Sequence, residues 1–389
     1  MTTMTRHSPL ESAQAVAALV RQHAAEGERT GCLHPEVVEA LKQAGIYRLL
    51  LPQAYGGIEA SLAEVQDVLE ELAAADGATG WCAMIGAGSN AFSAWLDPAG
   101  AQELFGQDTH VVSASMFSPT GRAERVEGGY RVSGRWAFGS GCLQSQVILG
   151  NSVVTQEGEP QVLENGSPET IMTFFPAARV TIIPRWDVMG LKATASHDFE
   201  VEDVFVPEQH TLRLFSDPPR LDRPLYRLPF QMLLWLWMAP VPLGIARGAL
   251  EAFTTFAQGH TRLGSKETLS DHPGTQSKFA QAYASFAAAR AYVRHVSSQA
   301  WDHAVQGQSV APQLVAEAGL ASRHATLTAA HVTETLYELS GTSALRSDST
   351  VQRAFRDAHA AMLHIAFGAA IDENSGRTLL KAQPAGLEA

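Results

Sequence analysis

Residues 134–142, with the sequence GRWAFGSGC, present one hydroxyl group where it could act on a ligand. Ser140 stands between Gly139 and Gly141, directly after a stretch typical of a β-strand. Glycines lack a Cβ and let the backbone approach a flat molecule closely, and Phe138 adds an aromatic side chain beside them. The alternative interpretation is an ordinary turn that ends a hairpin. The first interpretation predicts that Ser140 contacts a flat ligand with polar edges.

Two further motifs have the residue pattern of a known functional site but lack its surroundings. The stretch GAGSNA at 86–91 fits the G-x-G-x-x-A dinucleotide fingerprint, but it follows a helical segment instead of a strand. We interpret its glycines as positions where helices pack closely. His331 and Glu334 lie one helical turn apart in HVTE, as in carboxylate-bridged metal sites, but the sequence offers no second histidine motif or further glutamates to complete one. We therefore predict no metal site.

The elements that must position Ser140 fall into three blocks. We predict an N-terminal helical domain (1–107), a central β-domain (108–223) and a C-terminal helical bundle (224–389), an α+β fold. Ser61 and Glu64 have capping-box spacing at a helix start in the first block. Short β-branched and aromatic stretches in the second block predict an antiparallel barrel or sandwich. Ala-rich helical faces in the third block predict close packing and association between copies of the chain.

Composition excludes several classes of partner. The 389-residue chain has a formal net charge of −12, which disfavours nucleic acid and anionic membranes. Three widely spaced cysteines exclude a disulfide framework. The N-terminus lacks the apolar stretch of a signal peptide. Residues 228–246 are uncharged, but Pro240 and Pro242 interrupt them, which predicts a buried core helix instead of a membrane span. We therefore expect a cytoplasmic protein.

The order of the three blocks, together with three longer motifs, resembles the acyl-CoA dehydrogenase superfamily along nearly the whole chain. The motifs are VEGGYRVSGRWAFGSG (126–141), WDVMGLKATASHDFEVEDVFVP (186–207) and RAFRDAHAAMLH (353–364). They are most similar to its flavin-dependent monooxygenase branch, which includes two-component aromatic hydroxylases and dibenzothiophene monooxygenases. The resemblance implies the acyl-CoA dehydrogenase fold, with helices before and after a β-domain.

The resemblance also implies which residues contact a flavin. Phe138 and Ser140 occupy positions that contact the isoalloxazine ring in the superfamily, with the hydroxyl near flavin N5. The resemblance implies further hydrogen bonds to the ring from Ser113 and Ser115, and contacts to the FAD of a neighbouring subunit from Arg262, Gln276 and Gly341. Leu263 stands where the dehydrogenase pattern has phenylalanine, so the choice between FAD and FMN stays open.

The main departure from the dehydrogenase pattern lies near the C-terminus. Arg356 and Asp357 match an Arg-Asp pair that many of these dehydrogenases follow with Tyr-Glu-Gly, whose glutamate abstracts a substrate proton. This chain has His364 and Ile365 instead, and isoleucine cannot accept a proton. The resemblance implies that His364 acts as a base on a substrate O–H or N–H. His359, five residues earlier on the same predicted helix, points about 140° away from His364, and we expect it at the surface.

These features predict the oxygenase component of a two-component monooxygenase. Reduced flavin would come from a separate reductase, because the sequence contains no nicotinamide-binding unit. With O₂ it would form a C4a-hydroperoxyflavin that oxygenates an aromatic or hydrophobic small molecule, and the superfamily's assembly implies a homotetramer. Four side chains are candidates for the substrate pocket: Phe92, Trp235, Trp237 and Met238.

Two alternatives stay open. One is a dehydrogenase-like flavoprotein whose base has moved to an earlier helix, where Glu251 is the candidate. The other is a non-catalytic flavin-binding protein that kept the fold.

Overall fold

The N-terminal part of the chain is helical. The structure, a computed structural model, describes residues 8–108, 110–213, 216–261, 264 and 266–381. Within these residues, five α-helices precede the first strand: α1 (Pro9–Thr30), α2 (Pro35–Gln43), α3 (Leu62–Ala75), α4 (Gly77–Ala91) and α5 (Pro98–Phe105). The predicted capping box is confirmed, because Glu64 N–H donates to Ser61 Oγ and Ser61 N–H donates to the Glu64 carboxylate. Both bonds satisfy N–H groups that a helix start leaves unpaired.

Helix α4 runs through the middle of this block and is buried on nearly all sides. Its glycines allow close packing, as predicted for GAGSNA. A Cβ on Gly86 would lie 2.5 Å from the ring of Tyr47, and one on Gly88 would lie 3.0 Å from the indole of Trp237. Strand and helix do not alternate around the motif in the way that a dinucleotide fold requires.

The central block is one twisted sheet. Within the described residues it has eight strands: β1 (Ser113–Val126), β2 (Gly129–Gly139), β3 (Val147–Gln156), β4 (Glu159–Pro160), β5 (Thr170–Pro176), β6 (Thr181–Ile183), β7 (His197–Pro207) and β8 (Thr211–Leu212). Their order is β6-β7-β2-β1-β3-β5-β8, with β4 beside β3. All pairs are antiparallel except β1 with β3, which are parallel, so the sheet is mixed. Sequence patterns indicated the strands but not this one parallel pair.

The C-terminal part is helical again. Its helices are α6 (Pro224–Arg227), α7 (Phe230–Met238), α8 (Pro240–Gly259), α9 (Pro273–Gln306), α10 (Pro312–Ser340), α11 (Thr350–Ala361) and α12 (Ala370–Lys381). The apolar segment around Pro240 forms α7 and α8, which together would be long and apolar enough to span a membrane. The fold buries 83% of the apolar 18-residue stretch in these two helices, however, so packing in the core accounts for their apolar composition.

Two hydrophobic cores hold the fold together. The larger core joins the N-terminal and C-terminal helices, with α3 packed between α1 and α8. The smaller core lies on the sheet and centres on Trp136, whose ring stacks on Phe199 at 5.2 Å. The predicted boundaries after residues 107 and 223 fall between α5 and β1 and between β8 and α6. The division into three domains stays a prediction, since the helical blocks share one core.

Candidate active site

A cavity of about 630 Å³ lies where α4, β1, the segment after β6, α7 and the end of α11 meet. Seven of the predicted site residues line it together: Phe92, Ser115, Phe138, Ser140, Trp237, Met238 and His364. These residues come from all three blocks of the chain. Ser140 and His364, the two residues predicted to do chemistry, therefore face one common space.

Four other predicted residues lie elsewhere. Ser113 is buried and donates its Oγ hydrogen to Asn90 Oδ1 at 2.6 Å, outside the cavity. Trp235 packs beside Gly319 and donates its indole N–H to the carbonyl of Ala366 at 3.1 Å. Gln276 and Gly341 are exposed at the start of α9 and just after α10, away from the cavity lining. Arg262 lies outside the described residues, as does Leu263.

Ser140 belongs to a chain of buried hydrogen bonds. Trp81 Nε1 donates to Ser140 Oγ at 3.1 Å, and Ser140 Oγ lies 2.7 Å from Ser196 Oγ. Ser196 Oγ lies 2.6 Å from Thr194 Oγ1, which donates to the carbonyl of Leu191 at 2.8 Å. A hydroxyl has one hydrogen, and a carbonyl only accepts. The direction therefore runs from the indole through each hydroxyl in turn to the carbonyl, and Ser140 keeps one free lone pair and no free hydrogen.

The backbone around this chain is held in unusual conformations. Phe138, Leu191 and Ala195 all have positive φ, at 67°, 53° and 45°. L-residues rarely adopt this region, and such conformations concentrate at functional sites, where the surrounding structure maintains them. Phe138 is 63% exposed at the cavity mouth. Its ring packs edge to face with the indole of Trp186, with the ring centroids 6.2 Å apart.

The structure explains the glycines beside Ser140 by packing and backbone conformation, whereas the sequence interpretation related them to the approach of a flat ligand. A Cβ on Gly139 would lie 2.8 Å from the ring of Phe199 in the core of the sheet, and Gly141 has φ of 73°. Glycine is thus required at these positions by packing and backbone conformation, whether or not a ring approaches.

His364 lies beyond the end of α11 and caps the short turn Ile365–Phe367. Its Nδ1 accepts the backbone N–H of Ala366 at 3.2 Å. Burial lowers the pKa of His364 to about 4, so the imidazole is uncharged near pH 7. Since Nδ1 is an acceptor, the hydrogen of the neutral ring is on Nε2. The indole of Trp81 meets this ring edge to face at 5.4 Å.

His359 also lines the cavity, so its predicted surface position is wrong. That prediction assumed one continuous helix, but α11 ends at Ala361 and the chain turns before His364. A helical angle therefore does not relate the two side chains. His359 Nδ1 lies 2.8 Å from the carbonyl of Phe355, whose ring packs against the imidazole at 4.2 Å.

Sequence reasoning missed several residues of the cavity. On α4, Trp81, Ile85, Gly88 and Ser89 line it, and their spacing of three or four residues places them on one helix face. That spacing was a usable signal, but the helix is apolar on every side and no one face stands out. The hydroxyls of Thr194 and Ser196 lie in an irregular segment with no such period.

The Arg-Asp pair of α11 holds the segment before these hydroxyls. Asp357 Oδ1 accepts the backbone N–H of Leu191 at 2.6 Å, and Arg356 donates to the carbonyl of Met189. Burial, with the neighbouring Asp76 carboxylate, raises the pKa of Asp357 to about 7. Gly190, between Met189 and Leu191, has no room for a side chain, because a Cβ there would lie 2.1 Å from the carbonyl oxygen of Arg356. The pair thus positions one wall of the cavity.

The described residues that line the cavity include no Asp, Glu, Lys or Arg. Ile365 lies at the mouth, 87% exposed, where the dehydrogenase pattern has its glutamate. Glu251, the candidate displaced base, is exposed on α8 and pairs with Arg247 at 3.6 Å, away from the lining. This geometry has no carboxylate to abstract a substrate proton, which argues against the dehydrogenase alternative.

A helical block before a mixed sheet and another after it, with a cavity where the three blocks meet, define an acyl-CoA dehydrogenase-type fold. Residues 10–104 match the family description "Acyl-CoA dehydrogenase, N-terminal domain", and residues 236–369 match "Acyl-CoA dehydrogenase, C-terminal domain". The chain belongs to the acyl-CoA dehydrogenase superfamily and, within it, to the flavin-dependent monooxygenases.

Three similar proteins support this assignment. An indole-3-acetate monooxygenase from Pseudomonas putida is 32% identical over 97% of this chain and 96% of its own length. The flavin-dependent monooxygenase oxygenase subunit HsaA from Rhodococcus jostii (strain RHA1) is 30% identical over 89% of this chain and 91% of its own. The crystal structure of 3-HSA hydroxylase from Rhodococcus sp. RHA1 superimposes with a TM-score of 0.89 at 27% identity, covering 97% of this chain and 98% of that one. The protein is a flavin-dependent oxidoreductase that uses reduced flavin.

The cavity fits a flavin on its own geometry. An isoalloxazine ring has apolar faces and a polar edge, and this space combines aromatic walls from Trp81 and Trp237 with the open acceptor of Ser140. Ser115, whose Oγ accepts the Ser89 hydroxyl hydrogen at 2.8 Å, adds a second polar group to the lining.

Proposed function

We propose that the protein is the oxygenase component of a two-component monooxygenase that acts on neutral aromatic molecules. The observation that carries the proposal is that Ser140 and His364 face one cavity whose described lining has no ionic side chain. A reduced flavin bound there would supply the two electrons that activate O₂, and one oxygen atom of O₂ would be transferred to the substrate. A separate reductase would provide the reduced flavin.

Ser140 would hold the flavin at N5. Its hydrogen is committed to Ser196, so the free lone pair can only accept a hydrogen bond. A reduced flavin carries a hydrogen at N5, which matches that acceptor, whereas an oxidised flavin does not. This polarity supports a preference for the reduced cofactor. Holding the N5 hydrogen in a site shielded from water would also slow wasteful release of hydrogen peroxide.

His364 would position the substrate by donating a hydrogen bond. Its Nε2 carries the hydrogen of the neutral ring, because Nδ1 caps the following turn. Accepting a proton would require Nδ1 to give up the Ala366 N–H. A donor at Nε2 suits an oxygen or carbonyl acceptor on the substrate. We therefore favour positioning over the base role that the resemblance implied.

The absence of charge in the described lining supports a neutral substrate. A carboxylate that leaves water without a cationic partner costs several kcal/mol. The indole-3-acetate named for the similar Pseudomonas protein carries such a group, whereas the described lining here offers only aromatic, apolar and hydroxyl side chains with two histidines. A flat aromatic with a hydroxyl or ring N–H fits these surroundings better.

The test is coupled turnover with a generic flavin reductase, supplied with FMN or FAD. Indole and indole-3-acetate form a matched pair of probes. We expect kcat/KM to favour indole by about tenfold or more, because the cost of placing an unpaired carboxylate in the cavity exceeds the roughly 1.4 kcal/mol that corresponds to a factor of ten. Addition of acyl-CoA to the oxidised flavoprotein should not bleach the flavin. Bleaching without a reductase, or peroxide as the only product with every aromatic tried, would overturn the proposal.

We also propose that the protein is a cytoplasmic homotetramer. Gln276 and Gly341 support this, because both are exposed and remote from the cavity, where only a neighbouring copy could bring them to a cofactor. Tyr283, 56% exposed on α9, adds apolar surface on the same helix as Gln276. Light scattering after gel filtration measures the mass, and a monomer that binds reduced flavin fully would contradict the assembly.

A further inference from the structure

The two histidines of the cavity present opposite chemistry to whatever occupies it. His359 Nδ1 lies 2.8 Å from the Phe355 carbonyl, and a carbonyl can only accept, so Nδ1 carries the hydrogen. In the tautomer with its hydrogen on Nδ1, His359 has its lone pair on Nε2. His364 is the reverse, because its Nδ1 accepts the Ala366 N–H and its hydrogen is on Nε2. Each tautomer is determined by a backbone group of the chain itself.

Both Nε2 atoms are available to a ligand. Within the described part of the chain, neither has a hydrogen-bond partner, and both side chains line the cavity. The half-buried His359 packs against Phe355, which stacks on Tyr337 at 4.8 Å, so the imidazole is held between its helix and the cavity. One cavity therefore contains one fixed donor and one fixed acceptor.

We propose that His359, and not His364, is the catalytic base, and that the substrate is an aromatic with an acidic O–H or N–H. The assignment rests on the proposed function. The substrate hydroxyl donates to His359 Nε2 while its oxygen accepts from His364 Nε2. In the proton transfer, the O–H bond breaks and leaves its electron pair on the oxygen, and a new N–H bond forms at His359 Nε2. The electron-rich ring that results is the form an electrophilic oxygen donor attacks.

Binding of matched aromatics to the flavin-free protein tests the acceptor directly. 2-Naphthol has a hydroxyl that can donate, whereas 2-methoxynaphthalene can only accept. We expect His359→Leu to lower the preference for naphthol over its methyl ether by about three- to tenfold, the worth of one hydrogen bond. His364→Leu should weaken both ligands and leave their ratio unchanged. His359→Gln, whose amide oxygen can accept, should restore part of the preference.

Fluorescence of bound 2-naphthol tests the proton transfer. Excited naphthol is a strong acid and emits as naphtholate only when a proton acceptor lies beside its hydroxyl. The parent and His364→Leu should show naphtholate emission, and His359→Leu should lose it. Unfolding temperatures of the parent and of every variant are measured first. If His359→Leu does not fold, His359→Gln replaces it in this experiment, because an amide oxygen accepts a hydrogen bond but does not take up the proton.

Emission that persists without His359 and disappears without His364 would return the base role to His364, and failure of naphthol to bind would also overturn the assignment. These readouts need no flavin, so they are independent of turnover. Coupled oxygenation with unchanged naphthol emission in every variant would reject His359 while the proposed function stands.

Discussion

The indole of Trp81 meets the imidazole of His364 edge to face, with ring centroids 5.4 Å apart. The same indole donates its N–H to Ser140 Oγ at 3.1 Å. One α4 side chain therefore touches both residues that the sequence marked for chemistry, one from the β-domain and one from the C-terminal helices. Trp81 sets the relative position of the proposed flavin contact and the proposed substrate contact.

Trp81→Phe should keep the ring contact with His364 and remove the hydrogen bond to Ser140. One such bond contributes about 1 kcal/mol, so we expect product formation to fall about fivefold or less and hydrogen peroxide per O₂ to rise. An oxygen electrode with a peroxide assay measures both. Trp95→Phe is the matched control, since Trp95 is as buried as Trp81 but does not line the cavity, and it should leave coupling unchanged. Equal coupling in both variants would remove Trp81 from the site.

Ser140→Ala should release more hydrogen peroxide than the parent, because the N5 hydrogen of the flavin loses its acceptor. Ser113→Ala is its control, since Ser113 is equally buried but bonds to Asn90 outside the cavity. That control should lower stability by about 1–2 kcal/mol, because Asn90 loses a buried partner, while coupling stays as in the parent. Peroxide release that rises equally in both variants would indicate general loosening, and not a flavin contact.

Thermal unfolding at several pH values tests the buried imidazole of His364. Its folded pKa of about 4 lies below the unfolded value of about 6.5. The unfolded chain therefore binds the extra proton first, and this group destabilises the fold as pH falls from about 6.5 toward 4. His364→Gln should lose less stability than the parent over that window, by a few °C in Tm, because a chain of this length shifts by about 1 °C per kcal/mol. Parallel curves for the two proteins would contradict the burial.

Asp357 should show the opposite pH dependence. Its folded pKa of about 7 lies above the unfolded value of about 3.9. Its contribution is therefore fully present below about pH 4 and is lost as pH rises through about 7. Asp357→Asn retains an oxygen for the Leu191 N–H and does not ionise, so its Tm should gain on the parent as pH rises across that range. A gap that stays constant with pH would show that the carboxyl is already ionised in the fold.

Local sequence patterns predicted much of the architecture. The capping box at Ser61 and Glu64, the strands of the middle block and the close packing of Gly86 and Gly88 all follow from short-range rules of helix ends, period and side-chain volume. The monooxygenase assignment likewise came from the order of blocks and from three motifs. Each of these signals is contained within a few consecutive residues or in their order along the chain.

The pocket was predicted less completely because it is assembled from distant segments. Trp235 and Trp237 are two residues apart and equally aromatic, yet only Trp237 lines the cavity, since the helix turns about 200° between them. No local rule decides which of two such faces meets the cavity.

The fold class, the family and a serine and a histidine suited to flavin chemistry were all predictable from the order and types of residues along the chain. What those two groups present to a ligand depends on contacts that form on folding. Because His364 Nδ1 accepts the Ala366 N–H, His364 is a donor at Nε2, whereas the Phe355 carbonyl makes His359 an acceptor at Nε2. The hydroxyl chain ending at Leu191 leaves Ser140 an acceptor. A tautomer or a hydroxyl direction depends on which backbone group lies within about 3 Å, and that neighbour is in place only after the chain has folded.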